Sequence, residues 1–345
     1  MPGSASLLPR NRLKWIPQNL RLAHEYCFFL HDEAVRLLAE YEKERAHIVS
    51  VKFRNKAEAT KFSKISKNED SVAAMRSLGY ELEARRVILN TITMGMVSDC
   101  LHHIYEALRC LEKRKVIVAL NLLRKPLTDS LLYLSWMLGD EDGFYHAFTQ
   151  NSPHGITSSI LKNRRNEILS AALKKTELEP LIDADFIDEV LFDQTDSSGF
   201  QMLFQHAVHL VTVQRAALQT TPENFNFIFE SYADDSLYEF VYESLPHVLI
   251  YLTHVIFGLF ERIASPDPGS KSAFYVRSVL GLHLVEGEGA EKFAIKTLRK
   301  LPLKCPNCSS ALKLTVRNAA RLVLSESFRC TKCRRVHPFP FSWIF

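Results

Sequence analysis

Through most of the first 285 positions, apolar residues recur at the 3.6-residue spacing of packed helices, and the strict alternation expected of strands is rare. The pattern predicts a first helix over 18–50, followed by a basic, polar segment (52–68) that reads as a loop or a solvated helix extension. Asn68-Glu69-Asp70-Ser71 supplies start signals for a long helix reaching about Arg114. The next helix, 115–138, is rich in Leu and Val, contains Pro126, and ends at Gly139, which reads as a left-handed cap. Asp140 opens a short aromatic helix with Phe144, Tyr145 and Phe148. Further helices are predicted at 157–175, 183–192, 200–218 and 235–264, with Ser244 and Pro246 marking a restart or kink in the last. After the turn-rich break 265–270, two more are predicted at 272–284 and 290–300. Residues 248–260 form the longest apolar stretch. Interrupted by Thr253 and His254, it falls short of the roughly 20 residues of a membrane helix and predicts a buried one.

The alternation missing from the body appears near the C-terminus, between two C-x-x-C pairs. Leu312, Leu314 and Val316 alternate with Lys313, Thr315 and Arg317, Asn318 to Ala320 read as a turn, and Leu322, Leu324 and Phe328 follow, so the spacing predicts a hairpin. Cys305, Cys308, Cys330 and Cys333 are placed as two knuckles that close a tetrahedron around Zn2+. Four thiolates leave no position for a catalytic water, so the zinc is read as structural. With few apolar residues nearby, the metal is expected to contribute much of the module's folding energy.

The fold class is therefore mainly α, a multi-helix bundle with a small C-terminal β zinc ribbon. Its predicted divisions are an N-terminal helix and basic segment (1–69), the bundle (70–286), and a linker helix with the ribbon (287–345).

Composition sharpens this. The other three of the seven cysteines stand singly in helical stretches, an arrangement suited to a reducing compartment. The first residues lack a secretory h-region, so a cytoplasmic location and no membrane partner are expected. The net charge of +4 is unevenly divided: between 292 and 345 twelve Lys and Arg stand against the single acid Glu326, a formal +11, leaving −7 on the rest. Such asymmetry points to an anionic partner, nucleic acid or nucleoprotein. The candidate contacts are Lys313, Arg317, Arg321, Arg329, Lys332, Arg334 and Arg335. The terminal Phe339, Phe341, Trp343 and Phe345 are expected to pack on the helical body, because so much exposed aromatic surface is unusual.

In the body, three polar stripes carry chemistry-bearing residues. They are Asp99, His102, His103, Glu106 and Cys110; Glu243, His247, Tyr251 and His254; and the pair His206 and His209. Converging stripes would build a general base or a metal cluster, and otherwise they are solvated or interfacial side chains. Arg124 and Asp129 flank Pro126, where a partly buried guanidinium needs a carboxylate. His206, His209, His247, His254, Arg124 and Asp129 are thus the catalytic candidates. No glycine-rich phosphate loop, G-x-S-x-G elbow or H-E-x-x-H motif is present.

The segment from Ala119 to Asp140 (ALNLLRKPLTDSLLYLSWMLGD), followed by Phe144 and Phe148, resembles a group of uncharacterised bacterial helical-bundle proteins distantly similar to HEPN domains. The resemblance covers about 99–260. It implies a helical fold, dimerisation, and metal-independent ribonuclease activity in phage defence or toxin systems, carried by an Arg-x4–6-His motif. The one pair with that spacing, Arg277 and His283, lies outside the region of resemblance, and serine follows the arginine. The expected functions are, first, a basic zinc ribbon that recruits a helical effector module to nucleic acid; second, an HEPN-like ribonuclease; and third, a scaffold whose ribbon docks protein.

Overall fold

A computed structural model describes residues 5, 7–67, 69–150, 156–193, 199–209, 211, 235–287, 289–301 and 303–344. Fifteen helices are described. They are α1 (Arg21–Lys43), α2 (Lys56–Ile65), α3 (Ser71–Ser77), α4 (Glu81–Leu111), α5 (Val116–Lys125), α6 (Leu131–Gly139), α7 (Glu141–Gln150), α8 (Ser158–Leu161), α9 (Arg165–Leu173), α10 (Ala184–Phe192), α11 (Phe200–Val208), α12 (Ser236–Ile263), α13 (Pro268–Glu286), α14 (Ala290–Leu298) and α15 (Val316–Ser325). Two three-residue strands, β1 (Ser327–Arg329) and β2 (Val336–Pro338), pair antiparallel. The molecule is a helical bundle with a small C-terminal sheet.

Helix α12 is the axis. From Val248 to Phe260 every side chain is buried, against α1, α4, α6, α9 and α13. By length and composition α12 could cross a membrane, but here most of it is enclosed by its neighbours. Helix α12 also continues through Pro246 without the restart that was one of the two expectations there. Proline removes one ladder donor; Pro246 is itself buried, and apolar burial on both sides holds the helix together.

Three other expectations are corrected. The long helix after Asn68 is two, because the chain turns at Gly79 in the left-handed region (φ +81°) between α3 and α4. Pro126 is accommodated by a π-helical turn, Pro126–Ser130, which carries α5 into α6. Gly139 is no left-handed cap but the last residue of α6, pressed against α9: a Cβ there would stand 2.8 Å from Ala171 Cβ and 2.9 Å from the Ala172 nitrogen. Asp140 does open the aromatic helix, its carboxylate accepting the Gly143 amide at 2.9 Å. Helix α11 ends at Val208, and the remainder of the helix predicted there lies outside the described residues, apart from His209 and Val211.

One continuous core runs from Ala5 to Phe341 and takes in residues of α14 and α15. The basic segment 52–68 contains the short, solvated α2, held by a satellite cluster of Met75, Tyr80 and Ala84 with Phe53 and Phe62 packed on it.

Candidate functional site

The two C-x-x-C pairs fold alike. Cys305 N–H donates to the Ser310 carbonyl and Cys330 N–H to the Arg335 carbonyl, each at 2.9 Å. The fourth residue after each first cysteine, Ser309 (φ 55°) and Arg334 (φ 61°), takes the left-handed conformation that closes the turn. This shared turn brings all four sulfurs within 4.8 Å of one another. Across the knuckles, Cys305 Sγ is 3.5 Å from Cys333 Sγ, and Cys308 Sγ is 3.6 Å from Cys330 Sγ. An ion bonded to four sulfurs at about 2.3 Å requires S···S edges of about 3.8 Å, so the cluster has the size needed to hold a metal ion.

Donors surround the sulfurs. The Ser310 hydroxyl lies 2.9 Å from Cys308 Sγ and 3.5 Å from Cys330 Sγ, and His337 Nε2 lies 3.3 Å from Cys305 Sγ. The Lys332 and Cys333 amides both donate to Cys330 Sγ at 3.4 Å. These bonds favour thiolate. The Ser310 hydroxyl, then the Cys333 amide, pull the Cys330 thiol down to about 5, and Ser310 also lowers Cys308. At Cys305 burial outweighs the donors and pushes the thiol up to about 11. Hydrogen bonds of this kind orient metal ligands and tune their basicity. Ser310 and His337 escaped the sequence reading, although one follows a knuckle directly and the other sits four positions beyond Cys333.

Between the knuckles, the expected hairpin is replaced by α15. Thr315 caps it, accepting the Asn318 amide at 3.3 Å. Leu322 and Leu324 fit an alternating pattern, but Ala319, Ala320, Leu322 and Val323 also gather on one face of a helix, and the core takes that face. The sheet forms instead between β1 and the segment after the second knuckle. Helix α15 therefore packs into the body against α13, α14 and α1. Buried Arg277 of α13 secures it, donating to the Val323 and Leu324 carbonyls and pairing with Glu33 of α1 (2.9 Å) and Glu326 (3.4 Å). Glu326 in turn accepts the Phe341 amide at 2.7 Å. Phe341 is buried and Phe339 partly so, as expected of the tail; the Trp343 side chain and Phe345 lie outside the described residues.

Of the seven basic candidates, Arg317, Arg321, Arg329 and Arg334 line a single cleft of about 430 Å³, and Arg10 of the N-terminal segment joins them. Burial, then Arg329 and Arg317, pull down the guanidinium of Arg321. Lys313, Lys332 and Arg335 are exposed outside that lining, and Arg335 is bound to Asn307 at 2.8 Å. Arg10 had no sequence signal linking it to the ribbon, since it stands in a short basic run with Arg12 and Lys14 far from the cysteines.

The catalytic candidates are dispersed. His254 is buried, bonded to Ser278 at 2.9 Å, and burial lowers it to about 3. Its stripe neighbour Tyr251 is bonded to Ser135 inside the core. His247 lies at the surface, where Glu286 bridges it (3.2 Å) to His283 (3.1 Å). His206 and His209 lie on and just beyond the end of α11. Arg124 and Asp129 are both exposed, so neither needs the buried partner that was expected. In the stripe on α4, Asp99 is paired with Lys125 at 2.7 Å, and His103 bonds back to the Asp99 carbonyl. Arg277 is committed to α15 and Glu33, while His283 is held by Glu286. A buried network that the sequence did not reveal links Glu112 to Arg12 (2.6 Å), Arg109 (2.5 Å) and His24 (3.6 Å), with His24 bonded to Tyr242. Glu112 and His24 are buried while Arg12 and Arg109 reach partly into solvent, and the network ties the N-terminal segment to α4 and α12.

Comparison with protein-family models, curated proteins and solved structures found no match to this chain.

Proposed function

We propose that the C-terminal module is a structural zinc ribbon through which the protein binds nucleic acid or a nucleoprotein, the helical body acting as an interaction or effector module. An all-thiolate tetrahedral set of this size suits Zn2+, which has no geometric preference of its own and is saturated by four sulfurs. The ribbon's task is then placement of charge. The observation that carries the reading is the gathering of Arg317, Arg321, Arg329 and Arg334 with Arg10 on one side of the module. Zinc with four thiolates carries about −2, which these five guanidinium groups outnumber. Contacts of this kind to phosphate are sequence-independent and weaken linearly on a logarithmic salt scale.

The test is binding of generic DNA and RNA oligonucleotides across a salt series. Measurable binding near 50 mM salt, falling steeply as salt rises, supports the reading. Absence of binding at low salt overturns it in favour of a ribbon that docks protein.

A further inference from the structure

We infer that the arginine cleft is a pocket for the terminal phosphate of a nucleic-acid strand. The inference rests on the proposed function and specifies which part of the ligand the cleft takes.

The guanidinium groups come from four separate segments: Arg10 precedes the bundle, Arg317 and Arg321 lie one turn apart on α15, Arg329 belongs to β1, and Arg334 closes the second knuckle. Among the described lining residues there is no Asp or Glu, and the remaining polar side chains are Asn318, Thr331 and Cys330. The one acid of the C-terminal region, Glu326, is turned away to Arg277 and the Phe341 amide. Arg321 and Arg329 each spend one donor within the module, on the Ser327 hydroxyl and the Arg334 carbonyl, and the cysteine cluster offsets part of the charge, but five guanidinium groups around one cleft leave it positive and attractive to an anion. Arg317 adds to it, standing in the first turn of α15, where the helix dipole already favours negative charge.

The shape of the cleft selects among phosphates. An internal phosphodiester carries one charge, and two of its oxygens are tied to sugars; a shallow basic track on a convex surface suffices for it. A terminal phosphate carries about −1.5 to −2 charges and presents three free oxygens, enough to accept from several guanidinium forks approaching from different sides. A cleft of about 430 Å³ also leaves room for the nucleotide that bears it.

The experiment compares one oligonucleotide sequence, as RNA and as DNA, carrying a 5′-phosphate, a 3′-phosphate or hydroxyls at both ends, by fluorescence anisotropy with the metal-loaded full chain. A phosphorylated end is expected to bind about tenfold more tightly at 150 mM salt, the gain from one further charge-assisted contact set. The 5′ and 3′ arms report which end is taken. Arg10→Gln and Arg317→Gln, both at exposed side chains, are expected to abolish that preference, whereas Lys43→Gln, the same charge loss at the exposed last residue of α1 and outside the cleft lining, keeps it. Unchanged metal content and circular dichroism show that the variants are folded. Equal affinity for all three ends overturns this inference and leaves nucleic-acid binding standing. Binding of none of them removes both.

Discussion

Arg277 Nη1 stands 2.9 Å from Glu33 Oε1, joining α13 to α1, while the other guanidinium nitrogens hold the last carbonyls of α15. Arg277 is buried and Glu33 largely so, and the face of Phe29 lies 4.8 Å from the guanidinium. This side chain thereby adds a polar key between the cysteine module and the helical body beside the apolar packing of α15.

Breaking such a buried pair by removing one partner leaves an uncompensated charge. Arg277→Ala is expected to lower unfolding stability by about 3–5 kcal/mol in urea denaturation and to speed amide exchange in 316–325. A loss below about 1 kcal/mol would show that the pair is no more than a surface contact.

Metal removal has a consequence for the whole chain. Helix α15 lies between the two knuckles and contributes Ala319, Ala320, Leu322, Val323 and Leu324 to the single core. Purified protein is expected to contain one equivalent of zinc by elemental analysis. Chelation or Cys308→Ser is expected to lower the melting temperature of the complete molecule in one transition. If the helical body melts unchanged after chelation, the module is an independent appendage and the shared core does not couple them.

Acid sensitivity follows from the buried histidines. His254 titrates near 3 in the folded protein against an ordinary value of 6.5, with burial the first cause, and His24 is lowered for the same reason. Between those two values the unfolded chain binds a proton that the folded chain refuses, so the stability held above 6.5 is lost as pH falls toward 3. For His254 alone the loss between pH 7 and 5 is about 2 kcal/mol. Glu112, held down in spite of its burial by His24 and Arg12, acts in the same direction at lower pH. The check is denaturation at the two pH values with wild type and His254→Gln; equal slopes in both would sink the assignment.

The helical class, most helix positions and the gathering of the four cysteines were legible because each depends on short-range pattern: a 3.6-residue period, a capping residue, a C-x-x-C spacing. The sign of the C-terminal charge was legible as well, since it is a property of composition. Residues 316–325 show where that information ends. Val316, Leu322 and Leu324 satisfy an alternating period, and Ala319, Ala320, Leu322 and Val323 a helical one. The face of α13 waiting to be covered decided between them. Tertiary structure alone also decided that Arg10 meets Arg317, that Arg277 serves α15 rather than a motif with His283, and that the histidine stripes stay apart. The reason is physical: local pattern determines which face of a segment is apolar, while the neighbour that buries it, and the charges carried alongside, depend on contacts between residues remote along the chain.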